Sequence, residues 1–245
     1  KVKSCFEVGY RSTLLQHPAD ISQPELMNIV KELNEDEDVD GFIVQLPLPK
    51  HINEMDITLA INPAKDVDGF HPMNIGLMTL GLPAYLPATP MGIMEMFKRY
   101  HIDISGKQCC VIGRSNIVGT PISILLSRKG NPGNATVVMC HSKTPNIKEI
   151  TLQSDVLIVA LGAPKFVTGD MVKEGAIVID VGINRIEDST KKSGFHLAGD
   201  VDYKSVAPKC SYITPVPGGV GPMTVTSLLI NTWKAYTGEI YPKNT

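Results

Sequence analysis

Five short apolar runs, "QCCVIG", "ATVVMC", "DVLIVAL", "AIVIDVGI" and "SYITP", punctuate residues 108–215, with helical patterns between them. Strands separated by helices imply a parallel sheet covered on both faces. The stretch "QCCVIG", helix "VGTPISILLSRK", then "ATVVMC" reads as one βαβ unit. The fold class expected is therefore α/β, with a Rossmann-type parallel sheet in the second of two α/β domains. A chain of 245 residues has room for one large domain or two modest ones.

The first part of the chain mixes helix and strand in another way. In "SQPELMNIVKELN", Ser22 and Glu25 have the spacing of a capping box. Leu26, Ile29, Val30 and Leu33 then mark one buried helical face. "GFIVQLPLP" reads as an internal parallel strand stopped by its prolines, and "EMDITLAI" as a second helix. The loop "NPAKDVDGFHPMN" follows. "TPMGIMEMFKRYHI" begins a helix with Thr89 as its cap and Pro90 in its first turn. The expected division is a first domain over residues 1–88 and a second over 89–221. The closing helix, residues 222–240, is expected to pack back on the first domain.

Bulk properties narrow the function. A hydrophobic fraction of 43% is that of a globular protein, and a net charge of −2 gives no reason to expect nucleic acid as a partner. No apolar run is long enough to span a bilayer, so no membrane partner is expected; no signal peptide is visible, and the expected place is cytoplasmic. The chain opens "KVKSCFEVGY", without methionine and in mid-helix, so upstream residues are expected beyond the sequence shown. The five cysteines include no C-x-x-C pair and read as buried, reduced thiols of a reducing compartment. No metal site is expected, because no His/Cys/carboxylate cluster has ligand spacing.

"GRSNIVG", residues 113–119, sits where a dinucleotide fold places its phosphate turn, but lacks the middle glycine of G-x-G-x-x-G. Gly113 lets a phosphate approach the backbone, and Gly119 allows helix and strand to pack closely. Free amides at the helix start favour an anion. Arg114 and Ser115 add a cation and a hydroxyl. The next strand ends in "CHSKT", with Ser142, Lys143 and Thr144 where an NAD enzyme usually carries a carboxylate. Hydroxyls and cations suit a 2′-phosphate that a carboxylate would repel. The expected cofactor is NADP.

Three further segments hold polar or backbone-rich chemistry: Gln45 in "VQLPLP", Asp66 and Asp68 in "KDVDG", and "TPVPGGVGPMT", whose prolines and glycines make a rigid wall with few side chains. With "GRSNIVGTP", "CHSKT", "DVGIN" and "GDVD", in this order, they closely resemble the methylenetetrahydrofolate dehydrogenase/cyclohydrolase family. The resemblance runs from Lys1 to about Gly238. "GRS" with "HSKT" looks like its NADP-using branch, and "KGNPGN" resembles bacterial members.

The resemblance implies a homodimer formed through the Rossmann domain, with tetrahydrofolate substrates held in a cleft between domains. It implies oxidation of 5,10-methylenetetrahydrofolate to the methenyl compound with NADP⁺, then hydrolysis to 10-formyltetrahydrofolate. Lys1 falls on the catalytic lysine of the family's Y-x-x-x-K motif, whose tyrosine would lie upstream. Gln45 is implied to hydrogen-bond Lys1, and Asp68 to grip the pterin, making these three the catalytic set. Val44, Gln45, Leu46, Asp68, Pro217, Gly218 and Gly221 are the implied folate contacts. Gly113, Arg114, Ser115, Val118, Ser142, Gly182, Ile183 and Thr224 are the implied cofactor contacts. Three other readings remain open at this point: another NADP-dependent two-domain dehydrogenase, a non-catalytic NADP- or folate-sensing module, and a dehydrogenase without cyclohydrolase activity.

Overall fold

Capping and apolar spacing set the N-terminal helices. The computed structural model describes residues 1–191 and 194–242. It opens with α1 (Val2–Glu7), α2 (Gln23–Glu35), α3 (Glu54–Ala60) and α4 (Pro72–Thr79). Ser22 Oγ accepts from the Glu25 amide and Glu25 reaches back to Ser22, so the capping box is formed. Such a cap stabilises a helix by about 1 kcal/mol. Leu26 and Val30 turn inward onto Ile52, Ile57 and Ile61, which makes the small core shared by α2 and α3. Asn53 caps α3 through Oδ1, and His71 caps α4 through Nδ1. Helix α4 was not expected; its Pro72 occupies the first turn, where a missing N–H costs nothing.

The "GFIVQLPLP" segment corrects an expectation. Phe42 makes a single parallel bridge to Asp66, and among the described residues no ladder continues from it. An apolar run becomes a strand only where a second backbone lies alongside, and Pro47 and Pro49 have no N–H to give one. Gln45 is accordingly exposed rather than enclosed in a strand end.

Helix α5 (Ala88–Arg99) leads to β1 (Gln108–Ile112), α6 (Gly119–Ser127), β2 (Thr136–Cys140), α7 (Ile147–Gln153), β3 (Val156–Val159) and β4 (Ile177–Asp180). Then come β5 (Asn184–Glu187), β6 (Phe195–Ala198), the short α8 (Tyr203–Val206), β7 (Tyr212–Ile213) and α9 (Val220–Thr237). Thr89 is not a cap. The helix already includes Ala88, and the Thr89 hydroxyl instead meets Thr224 Oγ1 at 2.9 Å.

The five apolar runs form one all-parallel sheet in the order β2-β1-β3-β4-β7. Its central strands are buried along their whole length, as both faces are covered. Cys110, Ile112, Leu157, Val159 and Val178 share one core cluster. The order reverses direction beside β1, so the carboxyl ends of β1 and β3 make a topological switch point, where ligands of such sheets bind. β5 and β6 form a separate antiparallel hairpin, which periodicity did not reveal.

The chain divides into two units: Lys1–Ala88 with the chain from Val225, and Thr89–Thr224. The division falls inside α9. In the first unit, Asn231 Nδ2 donates to Val67 O and Leu86 O, both at 2.9 Å. Ala235 packs with Val67 and Tyr85, and the Tyr241 hydroxyl donates to Asn74 Oδ1 at 2.8 Å.

Candidate active site

Lys1 stands at the start of α1, and its Nζ donates to Gln45 Oε1 at 2.7 Å. The other end of the same amide, Gln45 Nε2, donates to Leu46 O at 2.8 Å, which fixes the orientation of the side chain. Val44 and Leu46, with Phe42, Phe70 and Asp68, border a hollow in this unit.

The two aspartates of "KDVDG" have opposite fates. Asp66 is buried, and its carboxylate accepts from the Phe70 and His71 amides and from Asn74 Nδ2. It is spent on building the turn. Asp68 is half-buried, and its carboxylate has no hydrogen-bond partner among the described residues. Burial pushes its pKa up to about 7; the Lys1 ammonium opposes the rise and the Asp66 charge adds to it. A carboxylate left in this state is a ready acceptor for a ligand with N–H donors. The next residue, Gly69, has φ +73, and a Cβ there would stand 2.6 Å from the Leu86 carbonyl carbon. Only glycine lets these two backbones approach.

In the second unit the phosphate turn follows β1. Gly113 has φ +126, and a Cβ there would overlap Ala160 O. Arg114 is exposed and forms no ion pair among the described residues. Ser115 Oγ accepts from the Val118 and Gly119 amides at 3.2 and 3.4 Å. Two of the amides expected to face an anion are thus already occupied, and Ser115 has its hydroxyl proton left to donate. Val118 is buried at the helix start. Ile112 pairs with Cys140, and the Gly113 amide donates to Cys140 O, so the turns after β1 and β2 are neighbours. In the β2 turn, Thr144 Oγ1 accepts from the His141 amide and His141 Nδ1 from the Lys143 amide. These bonds hold the loop, while Ser142 and Lys143 point outward. This donor set fits a dinucleotide with a 2′-phosphate: a backbone with no Cβ, an unpaired guanidinium, an open hydroxyl and no carboxylate in the turn.

Gly182 is buried and Ile183 is 62% exposed. Ile183 Cδ1 lies 3.9 Å from where a Gly221 Cβ would be, so the "DVGIN" and "TPVPGGVGPMT" motifs meet. Pro217 and Gly218 are exposed on that wall, and Thr224 is held by Thr89 and by Val220 O. The structure therefore gathers the expected residues into a Lys1–Gln45–Asp68 group in one unit and a phosphate-turn, Gly182–Ile183 and Pro-Gly group in the other.

Sequence reasoning missed Asn231, which ties down the backbone on either side of the Asp68 turn, and the buried aspartates Asp180 and Asp200. An asparagine amid the apolar positions of "SLLINTW" was the available signal for the first. Among the described residues no group of three or more His, Cys, Asp or Glu side chains is placed to hold a metal, and no helix is long and apolar enough to cross a membrane.

Two family models match the chain. Residues 1–68 match the catalytic domain of tetrahydrofolate dehydrogenase/cyclohydrolase, and residues 87–240 match its NAD(P)-binding domain. The bifunctional protein FolD of Cytophaga hutchinsonii is 63% identical over 96% of this chain and 81% of its own length. The bifunctional enzyme FolD of Campylobacter jejuni has a solved structure that is 48% identical, with a TM-score of 0.89 over 97% of this chain and 81% of that one. The methylenetetrahydrofolate dehydrogenase-cyclohydrolase of Trypanosoma brucei, solved with NADP cofactor and inhibitor, is 38% identical. Its TM-score is 0.91, over 97% of this chain and 80% of that one.

Proposed function

The chain belongs to the tetrahydrofolate dehydrogenase/cyclohydrolase family, and on that premise we propose how its own residues divide the work. It oxidises 5,10-methylenetetrahydrofolate to 5,10-methenyltetrahydrofolate with NADP⁺ and hydrolyses that product to 10-formyltetrahydrofolate. Bound NADP⁺ supplies the hydride acceptor, and the protein supplies orientation. Gly113 admits the phosphates to the backbone. Arg114 and Ser142 hold the 2′-phosphate, with Ser115 donating its free hydroxyl proton beside them. Val118 starts the helix behind this turn. Gly182, Ile183 and Thr224 border the nicotinamide.

On the folate side, Asp68 accepts from the pterin amino group and ring nitrogen. Pro217, Gly218 and Gly221 give the flat ligand a wall, and Val44 and Leu46 flank the reacting end. In the hydrolysis, water attacks the methenyl carbon and gives up both its protons as its oxygen becomes the formyl carbonyl; one proton goes to the ring nitrogen as its C–N bond breaks, and the other is released to solvent. Lys1 is the group that moves these protons. The observation that carries this assignment is the 2.7 Å bond from Lys1 Nζ to Gln45 Oε1, which aims the amine and fixes its rotamer. A general dehydrogenase or a sensing module has no use for that pair.

The working form proposed is a homodimer associated through its sheet-bearing unit, in the cytoplasm, with no membrane or nucleic-acid partner. Five free thiols suit that reducing compartment. Light scattering at two concentrations tests the dimer; a monomer mass at both rejects it. The catalytic reading is tested by following NADPH and methenyl absorbance together after adding methylenetetrahydrofolate. NADPH should rise while the methenyl signal appears and then decays. A methenyl signal that accumulates without decay removes the hydrolytic role from Lys1.

A further inference from the structure

The motifs "DVGIN" and "GDVD" each contribute a buried aspartate that the two reactions leave without a role. Asp180 ends β4, and Asp200 lies just after β6. Their relative exposures are 4% and 0%. Asp200 Oδ2 accepts from the backbone amides of Leu161 and Gly162 at 2.6 and 2.9 Å, and its Oδ1 from Asn184 Nδ2 at 2.8 Å. Asp180 Oδ1 accepts from the amides of Gly182 and Asp200, and its Oδ2 from Val201, all at 3.0 Å. A Cβ on Gly182 would overlap the Asp200 carboxylate, and one on Gly199 would overlap Asp180 Oδ2. Among the described residues no cation forms an ion pair with either group; backbone dipoles and one amide hold both charges.

Burying two carboxylates side by side is costly, and burial together with the Asp200 charge does raise the Asp180 pKa. A fold that needed only packing would fill this space with apolar side chains. What the carboxylates provide is geometry. Asp200 joins the loop after β3, at Leu161–Gly162, to the segment after β4, at Gly182–Asn184, and both loops leave the carboxyl edge of the sheet where a dinucleotide lies.

We infer that Asp200 is a positioning residue for hydride transfer: it fixes the Leu161–Gly162 and Gly182–Ile183 loops against each other and so sets where the nicotinamide ring rests. Asp180 acts beneath it by holding the Asp200 backbone. The inference rests on the proposed placement of the nicotinamide beside Gly182 and Ile183. Its consequence is asymmetric. Loosening the ring by a fraction of an ångström slows hydride transfer steeply, while water attack at the methenyl carbon makes no use of it.

The test compares the unsubstituted protein, Asp200→Asn and the milder Asn184→Ala. Asp200→Asn sets an NH₂ group against amide donors; Asn184→Ala removes one donor from a half-buried site and keeps the fold if the first variant does not. Three quantities are read: dehydrogenase kcat, cyclohydrolase kcat on supplied methenyltetrahydrofolate, and the primary isotope effect with substrate deuterated at the donated position. Dehydrogenase kcat should fall about 100-fold in Asp200→Asn and about fivefold in Asn184→Ala. Cyclohydrolase should stay within about twofold, and the isotope effect should rise as hydride transfer becomes limiting. Equal loss of both activities with an unchanged isotope effect marks a merely structural group and overturns the inference, as does an Asn184→Ala variant with full dehydrogenase activity. Absence of dehydrogenase activity in the unsubstituted protein overturns the functional reading itself, and this inference with it.

Discussion

Lys1 Nζ and Gln45 Oε1 are joined at 2.7 Å across 44 positions of sequence. Neither residue is remarkable alone, since an exposed lysine and an exposed glutamine are the commonest of surface groups. Joined, they make an amine of fixed direction. Lys1→Met should lower cyclohydrolase activity by about 100-fold or more, within the usual span of general acid–base catalysis, while NADP binding measured by fluorescence stays unchanged. Retained hydrolysis of the methenyl compound would remove Lys1 from the mechanism.

Asp68 carries a pH signature. With its pKa raised to about 7, the folded protein keeps a proton that the unfolded chain releases near the ordinary value of 3.8. Stability from this group is therefore fully present below the unfolded value and is lost as pH rises through about 7. Asp68→Asn should then raise the Tm at pH 8 and leave it nearly unchanged at pH 4, a site cost of the kind proteins accept for function. In the active protein, folate kcat/KM should fall as pH drops below about 7, because the charged acceptor is lost. Asp68→Asn should show a low value without that acid limb. A Tm difference of the opposite sign at pH 8 would contradict the burial of this charge.

Arg114, exposed and without an ion pair among the described residues, is the proposed reader of the 2′-phosphate. A hydrogen bond to a charged group contributes about 1.5–3 kcal/mol, so Arg114→Ala should raise the KM for NADP about 10- to 100-fold. The KM for NAD should move by less than about threefold. Equal losses for both cofactors would argue that the residue supports the turn rather than the 2′-phosphate.

Asn231 holds the two carbonyls that flank the Asp68 turn, Val67 O and Leu86 O. Asn231→Leu leaves the buried Val67 O without this donor, at about 1–3 kcal/mol, and takes a partner from the part-buried Leu86 O as well. The variant should melt several degrees lower and bind folate more weakly, with the NADP KM unchanged. An unaltered folate KM in a destabilised variant would show that the turn keeps its shape without the clamp.

The buried thiols should be chemically silent. Burial pushes the Cys109 pKa up to about 12, and Cys110, packed 3.6 Å from the Cys140 sulfur, is raised as well. In the native protein, titration with a thiol reagent at pH 8 should leave these strand cysteines unmodified until denaturant is added. Rapid native labelling of Cys109 or Cys110 would show that the sheet opens.

The sequence alone determined the layers and the phosphate turn. Apolar runs between helical patterns allow little besides a parallel sheet, and the Ser22–Glu25 box sets a helix start by contacts three residues apart. Such signals are local, so they survive without a partner. The same logic failed for "GFIVQLPLP", because whether an extended run becomes a strand depends on another backbone, and Phe42 alone found one. It missed helix α4 and the β5–β6 hairpin, which are short and carry weak periodicity. Within the site, residue types named the candidates, but only the tertiary structure separated them. It spent Asp66 on the amides of its own turn and left Asp68 open two residues later. It also brought Asn231 from the last helix to Val67 and set Asp200 under Gly182. Those pairings cross long stretches of chain, and a contact that depends on where two distant backbones come to lie leaves no mark in the spacing of either one.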